Sequence, residues 1–403
     1  MVFSYVCVLI FSLLLVITQD CLLVNSYLTF DYVGSILGFI CLFLMIFFLN
    51  FCYSHMSKVE RILICVSAFF SVICFLSNNT MVFWVSYELA IISLVFCILA
   101  GSPYSERFLA FWYLVGYVGS TSVPLLLCIL YVNFLGGSTS LSGNISLEGE
   151  GGFLLGVFMF ILFATKVPLP PFHAWLPVVH AEASAFISVW LSGFIMKLGL
   201  IGIYRFVINL IHDNVDIFTA LLCYSVFIIA SCLSELDTKR WLAYLSLGHI
   251  IIALLGILNS DGNSSEGPLY CLGHGFSASL LFVCFLFAYD LIGSRNWFSF
   301  SIAGRLSVGI ILMLCLSLLT ASSFPPTLNF FSEVFILGLS FHSGSLALFY
   351  FFYLFVGGLI PVLILAYMVC SAGEGFGSGL PSFNLLVVLY VFNFVTYLFV
   401  FMI

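Results

Sequence analysis

Charge is what this sequence lacks most. Only 7% of its 403 residues are Asp, Glu, Lys or Arg, while 63% are hydrophobic. A soluble domain carries about 25% charged residues, so this composition excludes one. Mean hydropathy is +1.26, and the chain reads as an all-α polytopic membrane protein. The apolar runs follow one another too closely for a separate soluble domain, so 1–403 reads as a single membrane domain. Close cysteine pairs are also missing. The 14 cysteines never come nearer than nine residues to one another. That spacing argues against an iron–sulfur or zinc site within the chain, and most of these thiols sit in apolar runs as small hydrophobes. The first run, Met1 to Ile17, has no basic flank before it and no clear small-residue cleavage site after it. It therefore reads as a retained helix, not a removed leader.

About 20 apolar residues cross a bilayer. On that rule about 13 spans are expected, at 1–18, 32–52, 62–78, 81–100, 108–133, 153–172, 184–207, 215–235, 240–259, 268–290, 306–343, 346–370 and 383–403. The sixth is irregular, and the eleventh is long enough for two half-helices, 306–322 and 327–343. The spans group into N-terminal helices (1–60), a first repeat (62–207), a second repeat (215–370) and a C-terminal helix (383–403). Basic residues gather on the cytoplasmic or matrix side of a membrane. With the N-terminus inside, inside loops hold Lys58, Arg61, Arg107, Lys239, Arg240, Arg295 and Arg305. Outside loops hold Asp20, Asp31, Glu148, Glu150, Asp213, Asp216, Asp261 and Glu266. Arg205 is the exception, near the outer end of the seventh span. Asp237, Lys239 and Arg240 read as ordinary loop charges that set this topology, with a guard at an inside entry as the other reading.

Few ionisable residues remain inside the spans: Glu88, Lys166, Lys197, His249, His274 and Glu333. A charge at bilayer depth costs at least about 2.5–3.5 kcal/mol. A structural Glu88–Lys166 ion pair and two satisfied core histidines would be the plain explanation. Six such positions spread over the spans favour a use instead. Burial disfavours the charged form of such groups, and histidine titrates near neutrality. The row can therefore pass protons laterally, with water between stations.

The stretch TKVPLPPFHAWLPVVHAEAS, 165–184, follows the apolar run FLLGVFMFILFA. Pro168, Pro170, Pro171 and Pro177 must break any helix there, because proline lacks an N–H and clashes with the preceding turn. Carbonyls freed at membrane depth are tolerated only inside protein or beside a hydrated cavity. Discontinuous helices mark ion sites in transporters, often at matching positions of two inverted halves. A second break is expected at SSFPPTLNFFSE, with Pro325 and Pro326. Lys166 and Glu333 stand 167 residues apart, each beside one break, and the same shift carries Glu88 to Leu255, near His249. This hints at two repeats of five spans, in opposite orientation.

HAWLPVVHAEAS and IMKLGLIGIYR, followed by DTKRWLAYLSLGHI, GHGFSASLLF and PPTLNFFSEVFIL, resemble in order and spacing the antiporter-like superfamily. The wording is closest to the subunit 4 family of mitochondrial proton-pumping NADH:ubiquinone oxidoreductase, respiratory complex I. The resemblance runs from about residue 80 to 345. It implies two inverted five-helix repeats, each with a broken helix. It also implies proton translocation driven by quinone reduction elsewhere, as a non-redox subunit of the translocase. NADH, FMN, iron–sulfur clusters and ubiquinone would belong to partner subunits, with no cofactor in this chain. Expected partners are other membrane-arm subunits, above all neighbouring antiporter-like ones, and lipids, with no nucleic acid. The expected location is the mitochondrial inner membrane, which the 47 phenylalanines of an AT-rich coding bias would suit.

The resemblance implies that Glu88 is the essential glutamate and Lys166 the broken-helix lysine. Lys197 becomes the central lysine, His249 and His274 the bridging histidines, and Glu333 the terminal acid near the outer exit. Two features depart from the family. Ser184 stands where it usually has proline, and 13 spans are counted where it has 14. A cation/proton antiporter subunit without redox partner is the main rival reading. A scaffold with a decayed pump would not keep six ionisable positions, and a quinone reductase would need cofactor ligands.

Overall fold

The computed structural model of the chain describes residues 23–24, 27–51, 56–102, 104–141, 150–207, 215–258, 266–299, 308–341 and 343–371. The expected spans 1–18 and 383–403, with Asp20, Glu148, Asp213, Asp261 and Arg305, lie outside the described residues. Two short strands, β1 (Leu23–Val24) and β2 (Thr29–Phe30), pair antiparallel. Helices follow: α1 (Tyr32–Phe51), α2 (Lys58–Leu76), α3 (Thr80–Gly101), α4 (Arg107–Gly136), α5 (Glu150–Lys166), α6 (Trp175–Glu182) and α7 (Ala185–Phe206). Then come α8 (Val215–Ser231), α9 (Thr238–Leu258), α10 (Glu266–Ile292), α11 (Val308–Ala321), α12 (Leu328–Ser340) and α13 (Gly344–Ser371). Among the described residues eight helices are long and apolar enough to cross a membrane: α2, α3, α4, α7, α8, α9, α10 and α13. Of these, α7 and α9 are the most enclosed by other helices.

Polar residues at the ends decide where the helices begin. Ser57 starts α2 with a capping box: its side chain accepts from the Glu60 N–H, and the Glu60 carboxylate accepts from the Ser57 N–H at 2.8 Å. Asn79 starts α3 by accepting from the Met81 N–H at 2.9 Å. Ser184 starts α7, accepting from the Ile187 N–H at 3.5 Å in extended backbone geometry (φ −60, ψ 154). Ser184 is thus an N-cap.

Arg205, the exception to the charge pattern, is neutralised. Its guanidinium lies 3.1 Å from the Asp31 carboxylate. It also donates to the carbonyls of Phe75, at 2.5 Å, and Ser77, both at the end of α2. A cation that binds the last carbonyls of a helix complements the negative end of its dipole. Lys239 departs from its reading as a loop charge. It is buried in the first turn of α9, where its N–H donates to Asp237 at 2.9 Å. Asp237 also pairs with Arg295 at 3.5 Å.

The chain divides into two units. One ends at Asn214 and also takes in 257–268; the other runs from Val215 to Gly256 and resumes at Leu269. Each holds one discontinuous helix. In the first unit α5 ends at Lys166, short of the expected boundary at 172. The reason is local. Pro168 has no N–H to give the Ala164 carbonyl, and Leu169 supplies it at 2.8 Å instead. In the second unit α11 ends at Ala321 and α12 starts at Leu328. Pro325 has no N–H to continue the ladder, and the preceding Phe324 N–H reaches back to Leu319 at 3.1 Å.

Candidate functional site: two buried clusters beside two helix breaks

In the first unit, Lys166 is the last residue of α5, and Glu88 lies within α3. Their side chains form an ion pair at 2.7 Å, with the lysine wholly enclosed and the glutamate 13% exposed. The ammonium also sits 4.3 Å from the centre of the Tyr87 ring. A cation facing a desolvated ring gains about 2 kcal/mol. Tyr87, adjacent to Glu88, was invisible as a partner in the sequence. Its only signal there is that adjacency.

Backbone and side-chain donors meet carbonyls of the last turn of α5. Phe163 accepts from the Val167 N–H at 2.9 Å, and Thr165 accepts from the Trp175 indole at 3.0 Å. Trp175 therefore ties α6 back to the end of α5. Helix α7 packs against the same point. A Cβ on Gly199 would lie 2.4 Å from the Val167 side chain and 3.2 Å from its backbone nitrogen. Only glycine lets the helix come this close.

Lys197 is buried on α7, two residues before Gly199. Its ammonium donates to the Ser192 carbonyl, inside a π turn spanning Leu191–Ile195. A π turn displaces the usual i→i−4 partner and leaves a carbonyl open to a side chain. Within the 165–184 stretch, His180 is fully buried on α6, and the Glu182 carbonyl accepts from the Ser102 hydroxyl.

The second unit brings His249 of α9, His274 of α10 and Glu333 of α12 together. The two imidazole rings lie 5.4 Å apart and perpendicular. His249 Nδ1 lies 2.7 Å from the Tyr270 hydroxyl and 2.5 Å from the Tyr353 hydroxyl. Glu333 Oε1 accepts from Ser323 at 2.8 Å and from Tyr353 at 3.5 Å. Tyr350 donates to the Glu333 backbone carbonyl at 3.0 Å. The Asn329 amide bridges the break by donating to the Thr320 carbonyl at 3.2 Å. It sits against Gly273 of α10, where a Cβ would be 2.0 Å from its Oδ1. Tyr270, Tyr350, Tyr353, Ser323 and Asn329 escaped sequence reading. Faint signals exist: Tyr270 precedes His274 by four residues on one helix face, and Ser323 stands beside the double proline.

The six candidate residues thus fall into a charged pair with Lys197 on a neighbouring helix, and an imidazole–phenol–carboxylate cluster. No group of three or more His, Cys, Asp or Glu side chains among the described residues could hold a metal ion. Apolar spanning helices, together with two helix breaks beside buried acids and bases, define a polytopic membrane protein. The chain belongs to the NADH:quinone oxidoreductase/Mrp antiporter transmembrane family, which matches residues 77–360.

NADH-ubiquinone oxidoreductase chain 4 of Rhipicephalus sanguineus is 32% identical over 284 residues, covering 68% of this chain and 64% of that relative. Chain 4 of Acanthamoeba castellanii is 30% identical over 295 residues, covering 71% and 59%. The chain therefore spans less than two thirds of these relatives' length. A chain of respiratory complex I from Thermus thermophilus with bound NADH superposes with TM-score 0.79 at 18% identity, covering 98% of this chain and 94% of that one. A chain of the Mrp complex from Dietzia sp. DQ12-45-1b gives 0.82 at 14% identity, covering 100% and 88%. At these identities the likeness is one of fold.

Proposed function

We propose that this chain is a proton-translocating, antiporter-like membrane-arm subunit of an NADH:ubiquinone oxidoreductase, the counterpart of chain 4. The observation that carries this reading is the enclosed Lys166–Glu88 pair at the end of a broken helix. Paired with Glu88, Lys166 holds its proton. When the carboxylate moves away, the enclosed ammonium loses its counter-ion and gives the proton up. Lys197 receives it, and the cluster of His249, His274 and Glu333 carries the release. The 62–207 and 215–370 repeats belong to the same reading, since each holds one break. So does the placement of NADH, FMN, iron–sulfur clusters and ubiquinone in partner subunits. Neighbouring antiporter-like subunits and lipids then surround the chain in the mitochondrial inner membrane. Moving a charge against the membrane potential costs about 2.3 kcal/mol per 100 mV, so quinone reduction elsewhere must drive the separation.

The test is native-gel separation of detergent-solubilised membranes, with mass spectrometry to locate the chain. Comigration with NADH-oxidising activity and iron–sulfur subunits in a very large assembly is expected. Migration with small membrane partners only would overturn the redox part of the reading and favour a cation/proton antiporter.

A further inference from the structure

His249 and Glu333 do not touch. The nearest atoms, Nδ1 and Oε1, are 4.0 Å apart, beyond hydrogen-bond reach. The Tyr353 hydroxyl fills the gap, 2.5 Å from the imidazole nitrogen and 3.5 Å from the carboxylate oxygen. Helix α13 carries it there, and Tyr353 is 1% exposed, so no bulk water competes for the hydroxyl.

We propose that Tyr353 is a relay residue that passes a proton between His249 and Glu333. The proposal rests on the proton-translocating reading above. A phenol both donates and accepts, which the transfer requires. The imidazolium Nδ1–H bond breaks as that proton bonds to Tyr353 Oη. The hydroxyl's own proton leaves for Glu333 Oε1. His249 ends neutral, Glu333 ends protonated and Tyr353 is unchanged. Rotation of the hydroxyl back toward the imidazole resets the relay.

Tyr270 fixes which phenol does this. Its hydroxyl lies 2.7 Å from Nδ1 and 3.1 Å from Tyr353 Oη. In the loaded state Nδ1 spends its one hydrogen on Tyr353, whose hydrogen points to the carboxylate. Tyr270 then donates to Tyr353 Oη and holds that orientation. Tyr270 acts through Tyr353 and is a positioning residue. Ser323, donating to the same Oε1 at 2.8 Å, fixes the acceptor end.

The experiment measures proton movement by the complete membrane assembly in sealed vesicles, with a pH-sensitive dye and NADH as fuel. Assembly level on native gels normalises each variant. Tyr353→Phe removes only the hydroxyl, and flux is expected to fall by about a hundredfold, the lower end of what a positioned acid–base group contributes. Tyr270→Phe is expected to lower the flux less than Tyr353→Phe does, and Tyr270→Phe with Tyr353→Phe to be no worse than Tyr353→Phe alone. Full flux in Tyr353→Phe, with loss only in the double variant, would overturn the assignment to Tyr353. Glu333→Gln and Lys166→Ala run beside these. If both keep full flux, the parent reading has failed. If both lose it and Tyr353→Phe does not, only the relay has failed.

Discussion

Beside the first helix break, after Lys166, the enclosed groups carry opposite charges. Beside the second, after Ala321, they are imidazoles, phenols and one carboxylate. The backbones are nonetheless treated alike. In each, a threonine carbonyl in the last turn before the break is capped by a side chain from the far side: Thr165 by Trp175, and Thr320 by Asn329. The threonines are 155 positions apart, and so are the double prolines Pro170–Pro171 and Pro325–Pro326. That interval differs from the 167-residue spacing of Lys166 and Glu333. On it, Lys166 corresponds to Ala321, and Glu333 to Val178, so neither has a charged counterpart. The comparison separates two properties. The scaffold of a break is set by proline and by capping of freed carbonyls. The chemistry is set by which side chain ends the first half, since a lysine there requires a counter-ion and an alanine requires none.

The largest effect is expected from Lys166→Ala. It removes the cation and leaves Glu88 without its partner, which costs about 3–5 kcal/mol for a broken buried pair. Proton translocation in vesicles is expected to vanish while the chain still assembles. Unchanged proton transfer would sink the scheme.

The contrast itself is sharpened by neutralising one acid in each unit. Glu88→Gln leaves a bare ammonium and should lower thermal stability by about 3 kcal/mol or more. Glu333→Gln keeps an oxygen for Ser323 and Tyr353 to donate to, and should cost about 1 kcal/mol or less. Thermal denaturation in detergent checks both. Equal losses would mean that the two clusters differ less than their chemistry implies.

The shared plan is broken by Trp175→Phe and Asn329→Leu. Each leaves a buried threonine carbonyl without its side-chain donor, for about 1–3 kcal/mol. The two losses should be similar, and proteolysis within each break should quicken. The smallest effect is expected at Ser184. Ser184→Ala removes the N-cap for about 1 kcal/mol, while Ser184→Pro loses the same cap but fits the observed φ of −60, so the stiffer unfolded chain offsets the loss and the change should be close to neutral. A large loss on Ser184→Pro would show that its hydroxyl does more than cap α7.

Legibility followed the range of the information. Apolar run lengths marked α2, α3, α9 and α10 to within a few residues, because a span depends only on consecutive side chains. The prolines marked both breaks, since a missing N–H is a local fact. Glu88, Lys166, Lys197, His249, His274 and Glu333 stood out because each interrupts an apolar run. Arg205 looked anomalous until Asp31, 174 positions away, closed on it. Tyr353, 104 positions from His249, could not be singled out among 19 tyrosines. Its role depends on which faces of α9, α12 and α13 meet.

By itself, then, the sequence determined that this is a membrane protein, where α2, α3, α9 and α10 run, where the two breaks fall, and that six ionisable groups interrupt apolar runs. These follow from transfer free energy and from proline's missing donor, which act residue by residue. The tertiary structure alone decided that Tyr87 joins Glu88 in holding Lys166, while Glu333 is held by hydroxyls. It also decided that Trp175 and Asn329 close the breaks. The physical reason is that a buried polar group must find its partner among whatever side chains packing brings within 3.5 Å, and no local rule names that neighbour.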